Sequence, residues 1–274
     1  MTQKVRLLEL VLGQGHVADP KVASGLIMAG RVVCGGSVVT KPGQLVSADA
    51  AIHIRGVQLR YASRGGYKLE RALRRFDVDA RGRVALDAGA SAGGFTDCLL
   101  KAGASRVYAV DVGYGQLRAS LAADPRVHVM EKTNIGALTA ASFPEPIDLA
   151  VIDVSYLSLE KAIPIVGGCF VKPVCMIGLV KPLFEGLRRE QMGDRDAILD
   201  TLARLLRLLG TTPYRARDVV ISPVLGGNSA VEFLLLVDQR AEPAPSPDDL
   251  VARALGSWND APPVAPERVE ELAR

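Results

Sequence analysis

The stretch Val84-Ala85-Leu86-Asp87-Ala88-Gly89-Ala90-Ser91-Ala92-Gly93-Gly94-Phe95-Thr96-Asp97 decides the fold. A short apolar run ends in Asp87, a glycine-rich turn follows, and helical spacing begins at Phe95. That is the opening half of a βαβ unit. Working outward, the pattern repeats. The candidate strands are Val84–Asp87, Val107–Asp111, Val127–Met130, Leu149–Asp153, Val174–Val180, Val219–Ser222 and Val231–Val237. Helical patterns lie between most of them, including Phe95–Ala102 and Asp194–Leu209. In the latter, Ile198, Leu199, Leu202, Leu205, Leu206 and Leu209 form one apolar stripe, and Gly210 stops it. Near-continuous apolar strands alternating with helices predict a Rossmann-like α/β fold, its mostly parallel sheet covered on both faces. The last two strands are joined through Gly226-Gly227-Asn228, with no room for a helix, so they should form an antiparallel hairpin at one edge.

The turn also carries chemistry. No Gly-Lys-Ser/Thr closes it, so it is not a P-loop, and it lacks the G-x-G-x-x-G of a dinucleotide site. Asp-x-Gly-x-x-x-Gly-Gly suits S-adenosylmethionine, with its methionine end beside the turn. The candidate cofactor contacts are Asp87, Gly89, Ser91, Gly93, Gly94 and Phe95. Asp111 ends the next strand, where a ribose diol would be held. Asp153 and Lys181 end two further strands and should converge on the same rim, Asp153 also within reach of the cofactor. Glu232 is a charge in an otherwise apolar strand and requires a partner, expected to be a lysine. Lys68 lies on a helix just before the first strand.

The flanks differ in character. Residues 1–58 read as a small α/β unit: a helical stretch from Lys4 to Gly15, a helix start at Asp19-Pro20, a hairpin around Gly35-Gly36 and a strand Ala51–Arg55. Residues 59–66 read as a linker, and a helix is expected over Tyr67–Phe76, opening a catalytic domain that runs to residue 240. Residues 1–84 carry a net charge of +8, residues 85–240 of −1 and residues 241–274 of −4. A basic N-terminal third suggests a polyanionic partner. Residues 241–274 are proline-rich and acidic and read as a linker or unstructured tail with, at most, a short terminal helix; Trp258 would then be a solvated indole. No apolar run approaches the roughly 18 residues of a membrane span. The start of the chain makes a poor signal peptide. Four cysteines without a C-x-x-C pair and three scattered histidines give no metal site, which suits a reduced, cytoplasmic protein.

Taken together, the motifs resemble the TlyA family of ribosomal RNA 2′-O-methyltransferases, some of which are called haemolysins, within the FtsJ-like methyltransferases. The resemblance covers nearly all of residues 1–240. It is carried by Ser63-Arg64-Gly65-Gly66-Tyr67-Lys68-Leu69-Glu70, by the turn from Gly89 to Leu100, by Val110-Asp111-Val112-Gly113-Tyr114-Gly115-Gln116-Leu117, by Ile152-Asp153-Val154-Ser155 and by Leu179-Val180-Lys181-Pro182-Leu183-Phe184-Glu185. It implies an S4-like RNA-binding domain over residues 1–58, with Lys4, Arg6, Lys21, Arg31 and Arg64 as RNA contacts. It also implies S-adenosylmethionine as cofactor and a Lys68-Asp153-Lys181-Glu232 catalytic set. The implied substrate is a cytidine ribose in ribosomal RNA or ribosomal subunits, with neither metal nor membrane involved. Ala92 stands where the family has Thr, and Gly227 to Glu232 is longer than the family's Gly-Asn-x-Glu spacing. Three other classes compete, among them a nicotinamide-dependent oxidoreductase, which nucleotide binding would test. A non-catalytic RNA-binding protein would need only the basic unit. A membrane-lysing protein would need a spanning or long amphipathic segment that the chain does not offer. The subunit RNA methylated and the oligomeric state are not legible.

Overall fold

The computed structural model describes residues 4–14, 17, 19–54, 59–171, 173–238, 243–265, 269 and 272. The N-terminal unit comprises β1 (Lys4–Arg6), α1 (Leu7–Gly13), α2 (Pro20–Met28), β2 (Val32–Cys34), β3 (Ser37–Val38), β4 (Leu45–Ser47) and β5 (Ile52–Ile54). Asp19 caps α2 by accepting the Lys21 amide at 2.6 Å, and Pro20 takes the first helical position. β2 pairs with both β3 and β5, and β1 with β4, all antiparallel. Leu7, Val11, Ala23, Ile27 and Val32 close a core of its own. The expected helix from Lys4 therefore begins as a strand and turns helical only at Leu7. Gly15 and Arg55, at the ends of two expected elements, lie outside the described residues, as do most residues beyond 265.

The second unit continues with α3 (Gly65–Arg75), β6 (Val84–Ala88), α4 (Gly94–Lys101), β7 (Arg106–Val110), α5 (Ala119–Ala122), β8 (Val127–Met130), β9 (Leu149–Ile152), α6 (Leu159–Gly167), β10 (Cys175–Val180), α7 (Arg195–Gly210), β11 (Ala216–Ile221), β12 (Phe233–Asp238) and α8 (Pro247–Asp260). Its seven-stranded sheet runs β8-β7-β6-β9-β10-β12-β11. β8 through β10 are mutually parallel, and β12 is antiparallel to both β10 and β11. The expected hairpin is present, with β12 inside the sheet and β11 at its edge. Chain order reverses between β6 and β9, which opens a crevice at their carboxyl ends.

Alternation along the strands feeds two cores. Leu86 and Ile152 face the layer built by α6, α7 and α8, whereas Ala85 and Val151 face the α3 and α4 side. Residues 59–66, expected as a linker, are packed instead. Tyr61 and Ala62 are buried, the Ala62 amide donates to Asp97 Oδ2 at 2.7 Å, and α3 starts at Gly65 rather than Tyr67.

The C-terminal segment departs furthest from expectation. Residues 247–260 form α8, begun by Ser246, whose Oγ accepts the Asp249 amide at 3.1 Å. Leu250 and Ala254 are buried on the sheet. Trp258 meets Phe233 edge-on at 6.0 Å, and the Arg195 guanidinium lies 4.8 Å from its ring centre. The Ile221 amide on edge strand β11 donates to Ser257 Oγ at 3.0 Å, so α8 also covers an open strand edge. The prolines bracket this helix without interrupting it, and the apolar spacing inside them decides.

Candidate active site

Asp87 is fully buried near the end of β6, beside the turn that opens the crevice. Thr96, in the first turn of α4, donates to Asp87 Oδ2 at 2.6 Å. Oδ1 is buried and accepts no hydrogen bond among the described residues. Burial pushes this carboxyl up to about 7, against the Thr96 hydrogen bond, and the nearby Asp153 charge adds to the rise. An orphaned acceptor of this kind suits a cationic ligand such as the ammonium or sulfonium of S-adenosylmethionine. The turn itself fits close approach: Gly89 has φ +99°, and a Cβ there would stand 2.5 Å from the Asp153 carbonyl oxygen. Ser91 is held at φ +45°, a left-handed conformation that costs about 1 kcal/mol or more. Asp111 supports it by accepting the Ser91 amide at 2.8 Å and the Gly113 amide at 2.7 Å.

Two clefts meet at this turn. One, of about 180 Å³, is lined by Gly89, Ser91, Asp111, Thr133, Asp153 and Tyr156. The other, of about 190 Å³, is lined by Arg64, Lys68, Gly94, Phe95, Asp153 and Gly226, with Gln14 from the end of α1. The sequence-read cofactor residues thus divide. Asp111 faces the first cleft, Gly94 and Phe95 the second, Gly89, Ser91 and Asp153 line both, and Asp87 and Gly93 line neither. A larger cavity, about 420 Å³ around Arg71, Arg74 and Arg75, borders neither.

The four charged residues form two ion pairs. Lys68 on α3 pairs with Glu232, both buried, although Glu232 precedes β12 rather than lying within it. Lys181 pairs with Asp153 at 2.5 Å, and its ammonium also donates to Ser155 Oγ at 2.8 Å and the Val154 carbonyl at 3.3 Å. Burial works against charge on Lys181, but the Asp153 and Glu232 carboxylates outweigh it, so its pKa is raised. Burial likewise opposes charge on Asp153, and the Lys181 and Lys68 ammoniums outweigh it, so its pKa is lowered. Lys181 is therefore a firmly held cation. Glu185, buried after β10, accepts the Leu159 amide at 2.6 Å and so ties the loop after Lys181 to the start of α6.

Ser155, Thr96 and Glu185 were not singled out from sequence; each is a polar side chain directly beside or within the quoted motifs, which is the signal they carried. Two exposed aromatics were also missed, Tyr156 near Asp153 and Phe184 near Lys181, 47% and 42% exposed. Of the candidate RNA contacts, Arg64 caps α3 and lines the second cleft. Lys4 and Arg6 on β1, Lys21 on α2 and Arg31 before β2 are exposed.

The FtsJ-like methyltransferase family matches residues 61–238, the segment that holds this sheet and both ion pairs. The chain belongs to that family. This FtsJ-like methyltransferase is 36% identical over 266 residues to the 16S/23S rRNA (cytidine-2′-O)-methyltransferase TlyA of Mycobacterium tuberculosis, covering 93% of this chain and 98% of the relative. It is 39% identical over 243 residues to YqxC of Bacillus subtilis, provisionally named an rRNA methyltransferase, with 86% of each chain covered. A solved structure from Streptococcus thermophilus, provisionally named a hemolysin, superposes with TM-score 0.74 at 33% identity, covering 95% of this chain and 98% of that one. Among the described residues, no helix of the FtsJ-like methyltransferase is long and apolar enough to cross a membrane.

Proposed function

We propose that this FtsJ-like methyltransferase methylates the 2′-hydroxyl of a cytidine ribose in ribosomal RNA, with S-adenosylmethionine as methyl donor. The observation that carries the reading is the double ion pair at the rim of the cofactor turn, in which Lys181 is kept cationic beside Asp153. Bound S-adenosylmethionine supplies a methyl group activated by its sulfonium. Asp87, Gly89, Ser91, Gly93 and Gly94 would hold its methionine end and Asp111 its ribose, with Phe95 and Asp153 closing the walls.

A ribose hydroxyl is a weak nucleophile near neutral pH, so the protein must orient it and stabilise charge on its oxygen. We assign that contact to Lys181. Its raised pKa favours an ammonium donating to the 2′-oxygen over a neutral base, so the hydroxyl proton would leave to water as the oxygen–methyl bond forms and the methyl–sulfur bond breaks, with S-adenosylhomocysteine as the leaving product. Asp153 fixes the Lys181 head, and Lys68 with Glu232 sets the field around it. Tyr156 and Phe184 offer ring faces on which an unstacked base could rest. Residues 1–58 are read as the S4-like RNA-binding unit, with Lys4, Arg6, Lys21 and Arg31 neutralising phosphates and Arg64 at the cleft mouth. A ribosomal RNA substrate supports a cytoplasmic location for the reaction.

Two measurements test this. Ribose methylation mapped across ribosomal RNA with and without the chain should show a 2′-O-methyl that depends on it; identical maps would remove the substrate assignment. Lys181→Ala should lower turnover by about 100-fold or more while cofactor affinity persists. Near-normal turnover would take Lys181 out of the mechanism.

A further inference from the structure

The cleft of about 190 Å³ beside Lys68 and Asp153 has one wall whose support lies far from it in sequence. Residues 223–227 connect β11 to the turn before Glu232, and Leu225, Gly226 and Gly227 line the cleft opposite Lys68. Gly226 lies directly against the Glu232 carboxylate: a Cβ there would collide with Oε1 and crowd Oε2. This loop is itself pinned by the segment after α8. Val264 forms a parallel bridge with Val224; its amide donates to the Pro223 carbonyl at 2.9 Å, and its carbonyl accepts the Leu225 amide at 3.0 Å. Val224 is fully buried and anchors the bridged loop in the core. Three residues earlier, the Ala261 carbonyl accepts Arg71 Nη1 at 3.4 Å, and Arg71 lies one turn beyond Lys68 on α3. Residues 261–264 therefore span the two walls that carry the two halves of the Lys68–Glu232 pair.

We propose that residues 261–264 are a strap that positions Glu232 against Lys68 for methyl transfer, acting through the backbone bridge of Val264 to the 223–227 loop. Val264 is a positioning residue. It touches neither cleft, and its effect passes through Gly226 to the Glu232 carboxylate. The proposal rests on the methyltransferase reading. It concerns a segment outside the matched family residues 61–238.

Val264→Pro removes the amide that reaches Pro223, and Gly226→Ala presses on Glu232 from the loop side. In both, kcat at saturating RNA should fall by about tenfold or more, while the Kd for S-adenosylmethionine and the KM for RNA stay within about threefold and the pH–rate profile is displaced. Val264→Ala keeps both backbone bonds and should retain kcat within about twofold. Trp258 emission serves as the folding control, because α8 precedes the strap. A folded Val264→Pro protein with unchanged kcat and pH profile would overturn the proposal, as would an equal loss in Val264→Ala. Amide exchange separates this from failure of the substrate assignment. If the intact chain did not methylate ribosomal RNA, faster exchange at Leu225 in Val264→Pro would still support the strap, and unchanged exchange would overturn it.

Discussion

Asp87 is placed under opposed demands. Its burial favours the neutral acid, whereas a cationic ligand at Oδ1 favours the carboxylate. Because its folded pKa is raised to about 7, the native state keeps a proton that the unfolded chain releases near pH ~4. Its stabilising contribution is therefore complete at acid pH and is lost as pH rises through about 7. Asp87→Asn removes this dependence, so the melting temperature of the variant relative to the native chain should climb between about pH 5 and pH 8. A flat difference over that window would contradict the raised pKa. The Lys68–Glu232 pair makes a second residue-scale prediction. Glu232→Ala leaves a buried ammonium without its partner and should destabilise by about 3–5 kcal/mol. Adding Lys68→Met should recover part of that loss in urea melts without restoring turnover. Additive losses would mean that the two charges are not coupled.

At the scale of the element, α8 is the instructive case. A tail of high proline and acid content reads as unable to form a core. Yet Leu250, Ala254 and Trp258 recur at four-residue spacing, and they find their apolar surface on a sheet made earlier in the chain. Trp258 should accordingly emit like a shielded indole and resist a neutral quencher. Truncation after Arg240 should lower stability by several kcal/mol, since burial of Leu250 alone is worth about 2 kcal/mol. A red-shifted, readily quenched Trp258, or an unaffected melt after truncation, would show that α8 does not dock. The strand ends were legible for a different reason. In a parallel sheet the carboxyl ends share one rim, so Asp87, Asp111, Asp153 and Lys181 could be gathered there from their strand positions alone.

For the whole molecule, basic charge is shared between the two units. Residues 1–58 carry a net +3, and residues 59–84, which include α3 of the catalytic unit, carry a further +5. Replacing Lys4, Arg6, Lys21 and Arg31 together by Ala should weaken RNA binding and reduce the slope of log K against log salt by up to about 3, while cofactor affinity is unchanged. An unaltered slope would place the phosphate contacts elsewhere on the molecule.

The sequence by itself determined the layered α/β architecture, the cofactor turn and the residues standing at the strand ends, because hydrophobic period, glycine placement and strand termini are local properties of the chain. Which charges pair was decided only in three dimensions. Lys68 and Glu232 are 164 residues apart and meet because α3 packs beside β12. The net direction of the Lys181 and Asp153 pKa shifts likewise depends on which opposite charges burial brings near them. Tertiary structure also settled the fate of two segments, residues 59–66 and α8. Composition describes what a segment carries, but the apolar surface that receives it is built by residues elsewhere in the chain, and that surface exists only once the sheet has closed.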